Sequence, residues 1–309
     1  MNTVKRIEED QIFNLRTHQI FSSDFQHVYN QCRTRLISEG EKSLSTLKEQ
    51  LDILDQLAEF PLGRFIIENK GLNGYWTDFT LRPPKNAATT PLEKFYLERA
   101  PSTLATRESF YISQAIMQEN LKNGIKIASI PCGVMANVLT LDFSKIEKMT
   151  LVGIDLDFEV LVYANKLAEE QKLQNYLELF QHDAWKLESE SEYDMVSSHG
   201  LNLYINNEEE LISLYTKYCT ALKPGGLYIS SFLTPSPFDS ADSPWDMTKV
   251  NEEDLRYQRV IFNDVTKVKW RNFCTYDQVA DQLIKAGFTD IEFIPDSASI
   301  RPVIVAKKD

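Results

Sequence analysis

A doubly wound α/β fold is predicted for the larger part of this chain, on three observations. From residue 125 onward, short apolar runs alternate with segments of helical periodicity, the pattern of a strand–helix sheet. The runs are almost continuously apolar, as strands of a mainly parallel sheet buried on both faces must be. The first run passes through a one-glycine turn straight into a helical pattern, "KIASIPCGVMANVLTL". In such folds that connection faces the ligand edge of the sheet.

Residues 1–122 read differently, as an N-terminal helical region expected to serve as a lid and substrate region. In "LSTLKEQLDILDQL", Leu44, Leu47, Leu51 and Leu54 recur at helical spacing and predict an amphipathic helix packed against the rest of the chain. "LRPPKNAATTP" is a loop by its prolines and small polar residues. Residues 92–99 and 106–123 read as helices, with Thr106 as an N-cap.

The sheet domain spans residues 123–309. Its first two strands are "KIASI" and "MTLVGID". "DFEVLVYANKLAEEQK" is a helix capped by Asp157, with Val160, Leu161, Ala164, Leu167 and Ala168 on one face. "YLELF" and "YDMVSS" are strands three and four. "EEELISLYTKYCTALK" begins with acids and ends near Lys223, as the helix dipole favours, and "LYISSFL" follows as strand five. "TYDQVADQLIKAGF" carries a capping box, Thr275 with Gln278, and Gly287 as its stop. "IEFI" and "VIVA" are the last two strands. Residues 233–274 form an insertion too long for an ordinary loop and are read as a lid.

Composition narrows the function classes. The chain has 309 residues and a net charge of −12, so a phosphate backbone is a poor partner and no nucleic acid is expected. No apolar run is long enough to span a membrane, and the N-terminus lacks the apolar core of a signal peptide. Cys32, Cys132, Cys219 and Cys274 form no paired motif. They suggest reduced thiols in a cytoplasmic protein and no metal site.

The chemistry should lie just after each strand. Gly133 lets the backbone approach a ligand, and the helix that follows offers free N–H groups. Asp155 ends strand two, 22 residues after Gly133, where an acid can accept from ribose hydroxyls. Leu156 would then present an apolar surface to a base. After strand three, Asp183 can accept from an exocyclic amine and Ala184 can offer its N–H. Strand four ends in "SSHG": Ser198 is counted with the cofactor contacts, and His199 is a candidate general base.

Taken together, "IASIPCGVMANVL", "LVGID", "FQHDAW", "YDMVSSHGLNLYI", "LKPGGLYISSF" and the terminal strand pair resemble, in order and spacing, the class I S-adenosylmethionine-dependent methyltransferases. The resemblance covers about residues 125–232 and 275–309. It implies a Rossmann-like seven-stranded sheet with an antiparallel C-terminal pair, and S-adenosyl-L-methionine as cofactor. It places Cys132 and Gly133 at the methionine moiety, Asp155 at the ribose, and Leu156, Asp183 and Ala184 at the adenine. The first motif departs from the family: Ser129 stands for an acid, and Pro131 and Met135 stand for glycines.

The implied activity is in-line methyl transfer to a small-molecule acceptor, with Tyr75 and Trp76 as candidate substrate contacts. Two alternatives are a cofactor-binding protein of this fold without activity and an NAD-dependent oxidoreductase. The acceptor atom and the oligomeric state are not set by the sequence.

Overall fold

The computed structural model describes residues 25–309, and they form two compact units. One contains Ala105–Trp245 and Arg271–Asp309 and carries the sheet; the other contains the residues up to Leu104 together with Asp246–Trp270. The N-terminal stretch read as lacking a signal peptide lies outside the described residues. The division falls at Leu104/Ala105, and the 233–274 insertion is split between the units.

The sheet has seven strands: β1 Ile125–Ser129, β2 Met149–Asp155, β3 Leu177–Gln181, β4 Tyr193–Ser198, β5 Leu222–Ser231, β6 Phe288–Ile294 and β7 Val303–Lys308. Their order is β3-β2-β1-β4-β5-β7-β6. The first five run parallel, and β7 pairs antiparallel with both β5 and β6. The chain order reverses between β1 and β4, and folds of this kind bind ligands at the strand carboxyl ends beside such a reversal. A dinucleotide fold of the oxidoreductase kind continues 4-5-6 in parallel. Here β7 is inserted between β5 and β6, which sets the NAD-dependent reading aside.

Local signals account for most helix ends. Asp157 accepts from Glu159 N at 2.9 Å and starts the helix Phe158–Glu170. Val160, Leu161, Ala164, Leu167 and Ala168 of that helix are all buried. Thr275 and Gln278 form the reciprocal capping box of the helix Tyr276–Lys285. Asn207 caps Glu208–Ala221, whose first turn holds Glu208, Glu209 and Glu210. These last two helices cover one core with Tyr215, Tyr218, Tyr228 and Phe288 at its centre.

Two helix predictions need correction. The helix expected over 106–123 runs Pro101–Glu119, because Pro101 suits a first helical turn and Leu104 N already bonds to Ala100 O. Thr106 therefore lies inside the helix, not at its cap. In the helical unit, Leu47–Leu57 is a helix capped by Thr46, but its deepest face is Gln50, Ile53, Leu54 and Leu57. The predicted leucines Leu44, Leu47 and Leu51 flank that face, half-buried. Within the insertion, Glu252–Arg259 is an α-helix that continues as a π-helix over Val260–Thr266. Its Val260, Ile261, Phe262 and Val265 complete the helical unit's core.

Candidate cofactor and acceptor site

β1 leads into the quoted turn and then a short helix, Ala136–Leu139. Two residues of the turn are left-handed, Gly133 at φ 51° and Met135 at φ 60°. Glycine adopts this conformation without cost; methionine does not. The position where the family pattern has its last glycine has thus kept the glycine conformation while bearing a side chain. That side chain is 1% exposed. It reaches β2 at Gly153, where an added Cβ would lie 3.1 Å from Met135 Sδ, 3.2 Å from Cys132 Sγ and 2.6 Å from Leu179 Cδ2. Gly153 therefore lets the turn lie directly on the sheet.

Asp155 ties the turn to the second strand. Gly133 N donates to its Oδ2 at 2.8 Å, and Asp157 N donates to its Oδ1 at 3.0 Å. Burial pushes its carboxyl above the ordinary value, against the opposing pull of those two N–H groups. Each carboxylate oxygen has more than one acceptor site, so both remain able to receive a further donor. Next to it, Leu156 is 68% exposed, an isolated apolar surface at the ligand edge.

β3 is in register with β2, with Asp155 opposite Gln181, so Asp183 follows two residues beyond the same edge. His182 N bonds to Asp155 O at 2.9 Å, which joins the two strand ends directly. Asp183 accepts from Trp185 N at 3.1 Å and caps the single turn Ala184–Lys186. Ala184 is buried within it. Cys132 turns its sulfur into the protein, and burial pushes the thiol well up. Its N–H donates to Ile154 O at 2.9 Å, so only its carbonyl can serve a ligand.

β4 ends in Ser198, buried, with its carbonyl accepting from the Ser230 hydroxyl of β5. Asn137, in the helix after the turn, donates to Ser197 Oγ at 2.7 Å and fixes the turn against β4. His199 follows. Its Nδ1 lies 3.3 Å from Ser231 Oγ, and its Nε2 is buried with no partner among the described residues. Burial, then the charge of Arg301, lowers the imidazole to about 3, so it is neutral at physiological pH.

Tyr75 and Trp76 belong to the helical unit. Trp76 is 7% exposed and packs there edge to face with Tyr75 and Phe79. Its Nε1 is buried with no hydrogen-bond partner among the described residues. Sequence reasoning took Met135 only as a departure from the motif and passed over Arg301. The signal for the first was its place in the motif; Arg301 was visible as a lone cation immediately before the last strand, "SIRPVIVA".

The comparisons with known proteins fit this geometry. A family model described as a methyltransferase domain matches residues 129–226, from the end of β1 into β5. This chain belongs to the class I S-adenosylmethionine-dependent methyltransferase family. The methyltransferase is 38% identical to a possible exported protein from Bordetella parapertussis, over 93% of this chain and 96% of that one, with a TM-score of 0.88. It shares the fold of the CurJ carbon methyltransferase at 14% identity and a TM-score of 0.50, covering 90% of this chain and 70% of that one. A Nostoc punctiforme protein provisionally named an O-methyltransferase aligns over 98% of this chain and 100% of its own, at 13% identity and a TM-score of 0.50. No curated protein matches the methyltransferase at a significant level. Among its described residues, no helix is long and apolar enough to cross a membrane.

Proposed function

We propose that this methyltransferase carries a methyl group from S-adenosyl-L-methionine to a small-molecule acceptor by in-line displacement, in the cytoplasm. The observation that carries the reading is the joint between Gly133 N and Asp155, which holds the turn after β1 against the acid at the end of β2. The residues fit the cofactor. Asp155 is a ribose acceptor, the exposed Leu156 is a face for the base, and Asp183 and the Ala184 N–H address the base edge. The carbonyls of Cys132 and Gly133 address the methionine moiety, their N–H groups being held by Ile154 O and Asp155, and Ser198 closes the floor.

When bound, the cofactor's sulfonium supplies a methyl group already activated for attack. The protein's task is therefore alignment and exclusion of water, and alignment alone is worth roughly 7–11 kcal/mol. His199, neutral and far below the titration range of an effective base at pH 7, serves as a hydrogen-bonding group toward the acceptor. The four free cysteines fit a reducing compartment.

Thermal denaturation with S-adenosylhomocysteine tests this. Ligand at a hundred times Kd stabilises by about 2.7 kcal/mol, which is roughly 5 °C or more for a unit of this size. NAD should give no shift. A protein that ignores S-adenosylhomocysteine at millimolar concentration would refute the cofactor assignment. Binding without labelled-methyl transfer to any metabolite pool would support the inactive binder instead.

A further inference from the structure

Arg301 lies at the end of the loop between β6 and β7. Because β7 runs antiparallel to β5, with Ser231 paired to Val303, this loop meets the carboxyl edge of β5. The Arg301 side chain donates through Nε to Ser231 Oγ at 3.0 Å and through Nη1 to Thr106 Oγ1 at 3.1 Å. Both acceptors are hydroxyls. No carboxylate pairs with the guanidinium among the described residues. Asp296, in the same loop, spends its oxygens on the backbone N–H groups of Arg301 at 2.6 Å and Ala298 at 3.2 Å. Burial pulls the guanidinium down to about 10, with partial relief from Tyr204 and Asp296.

Ser231 joins this cation to His199, whose Nε2 is the orphaned buried nitrogen described above. A desolvated cation without a counter-ion and a buried imidazole nitrogen without a partner are both costly. One oxyanion would satisfy the two together, since a guanidinium pairs with planar carboxylates and a neutral imidazole can donate through the nitrogen left over. The cluster stands at the ends of β4 and β5, beside the strand that carries the cofactor turn.

We infer that Arg301, His199 and Ser231 form a recognition site for an oxyanion, a carboxylate or phosphate, carried by the methyl acceptor. This rests on the proposed function for its meaning, though not for its measurement. The anion is the handle and not the nucleophile, because pairing with a guanidinium withdraws the electron density that attack requires. The accepting atom lies elsewhere on the same molecule.

The test uses the full-length protein with 13C-labelled histidine, saturated with S-adenosylhomocysteine. The four histidine signals are followed by NMR as benzoate, inorganic phosphate or neutral benzamide is added. The expected result is a selective, saturable shift of the His199 signal with benzoate or phosphate and none with benzamide, accompanied by a rise in Tm. Which anion acts separates a carboxylate handle from a phosphate handle. Arg301→Gln should abolish both responses. If that variant fails to fold, His199→Gln, which leaves the cation in place, should weaken the anion-dependent rise in Tm at least fivefold in apparent affinity. No response to either anion, or an unchanged response in the variants, overturns the inference. Failure to bind S-adenosylhomocysteine would instead refute the cofactor reading, and the anion titration still reports on its own.

Discussion

Met135 gives the sharpest test of how this motif works without its usual glycines. Its backbone is left-handed, at φ 60° and ψ 23°. Its side chain is buried against β2 at Gly153. Two effects of opposite sign therefore meet at one residue. The conformation costs a non-glycine residue about 1 kcal/mol. Truncating a buried methionine to alanine costs about 2–5 kcal/mol. Met135→Ala keeps the backbone cost and loses the packing, so it should destabilise the sheet unit by about 3 kcal/mol. Met135→Gly also loses the packing but removes the conformational cost, so it should lose about 1 kcal/mol less. At about 2–4 °C per kcal/mol for a unit of this size, alanine should lower Tm by about 6–12 °C and glycine by about 4–8 °C. Calorimetry on the full-length protein, with circular dichroism to confirm the fold, reads both. A glycine variant as stable as wild type would show that the side-chain packing only offsets the conformational cost, about 1 kcal/mol. A glycine variant less stable than alanine would show that the backbone is not left-handed there.

Gly153→Val should be worse, because its new side chain would meet Leu179, Met135 and Cys132 at once; a loss of at least tenfold in S-adenosylhomocysteine affinity by calorimetry is expected, with lowered Tm. Asp155→Asn should weaken S-adenosylhomocysteine by 10- to 100-fold, about 1.4–2.7 kcal/mol, with some loss of Tm, because an amide cannot accept from both Gly133 N and Asp157 N. The pH dependence separates the same two quantities. The Asp155 carboxyl is raised in the folded state, so protonating it does not cost the fold stability, and cofactor affinity should fall on acidification before the fold does. Asp194 behaves in the opposite sense. Burial opposes its charge, but Lys223 at 2.7 Å, Lys122 at 2.9 Å and the Lys126 N–H hold it at about 2. Its stabilisation, about 1–2 kcal/mol after solvent screening of the lysines, is present above about pH 4 and lost as pH falls toward 2; acid unfolding of Asp194→Asn should lack that component. Finally, the pH profile of methyl transfer should show no inflection near 6.5 that disappears in His199→Gln, because His199 titrates at about 3.

The sheet was legible because its signals are local. Apolar runs, Asp157, the Thr275–Gln278 pair and Gly287 each act within a few residues of themselves, and each stands where its chemistry requires. The strand-end acids could be read by counting, since Asp155 and Asp183 follow strands whose ends are in register. What escaped depends on distant partners. The buried face of Leu47–Leu57 is set by what packs on it, so Leu54 is buried as spacing favoured, while Ile53 and Leu57 lie deeper than Leu44, Leu47 and Leu51. The split of the insertion depends on which core Val260, Ile261 and Phe262 join. His199 could be seen as a candidate base, but its neutrality comes from burial and from Arg301, about a hundred positions further along the chain. Arg301 itself shows no local pattern. It acquires meaning only when β7 returns beside β5.

That reversed strand has an evolutionary corollary. Every parallel strand offers the ligand edge its carboxyl end, and under the proposed function those of β1, β2 and β3 hold the methyl source. The one strand running the other way delivers its amino end there, fed by the residues from Asp296 to Pro302. With Arg301 as the acceptor's anchor, as inferred above, grafting a different sequence into this short connection is expected to redirect what the enzyme modifies while its grip on the methyl source stays inherited and untouched.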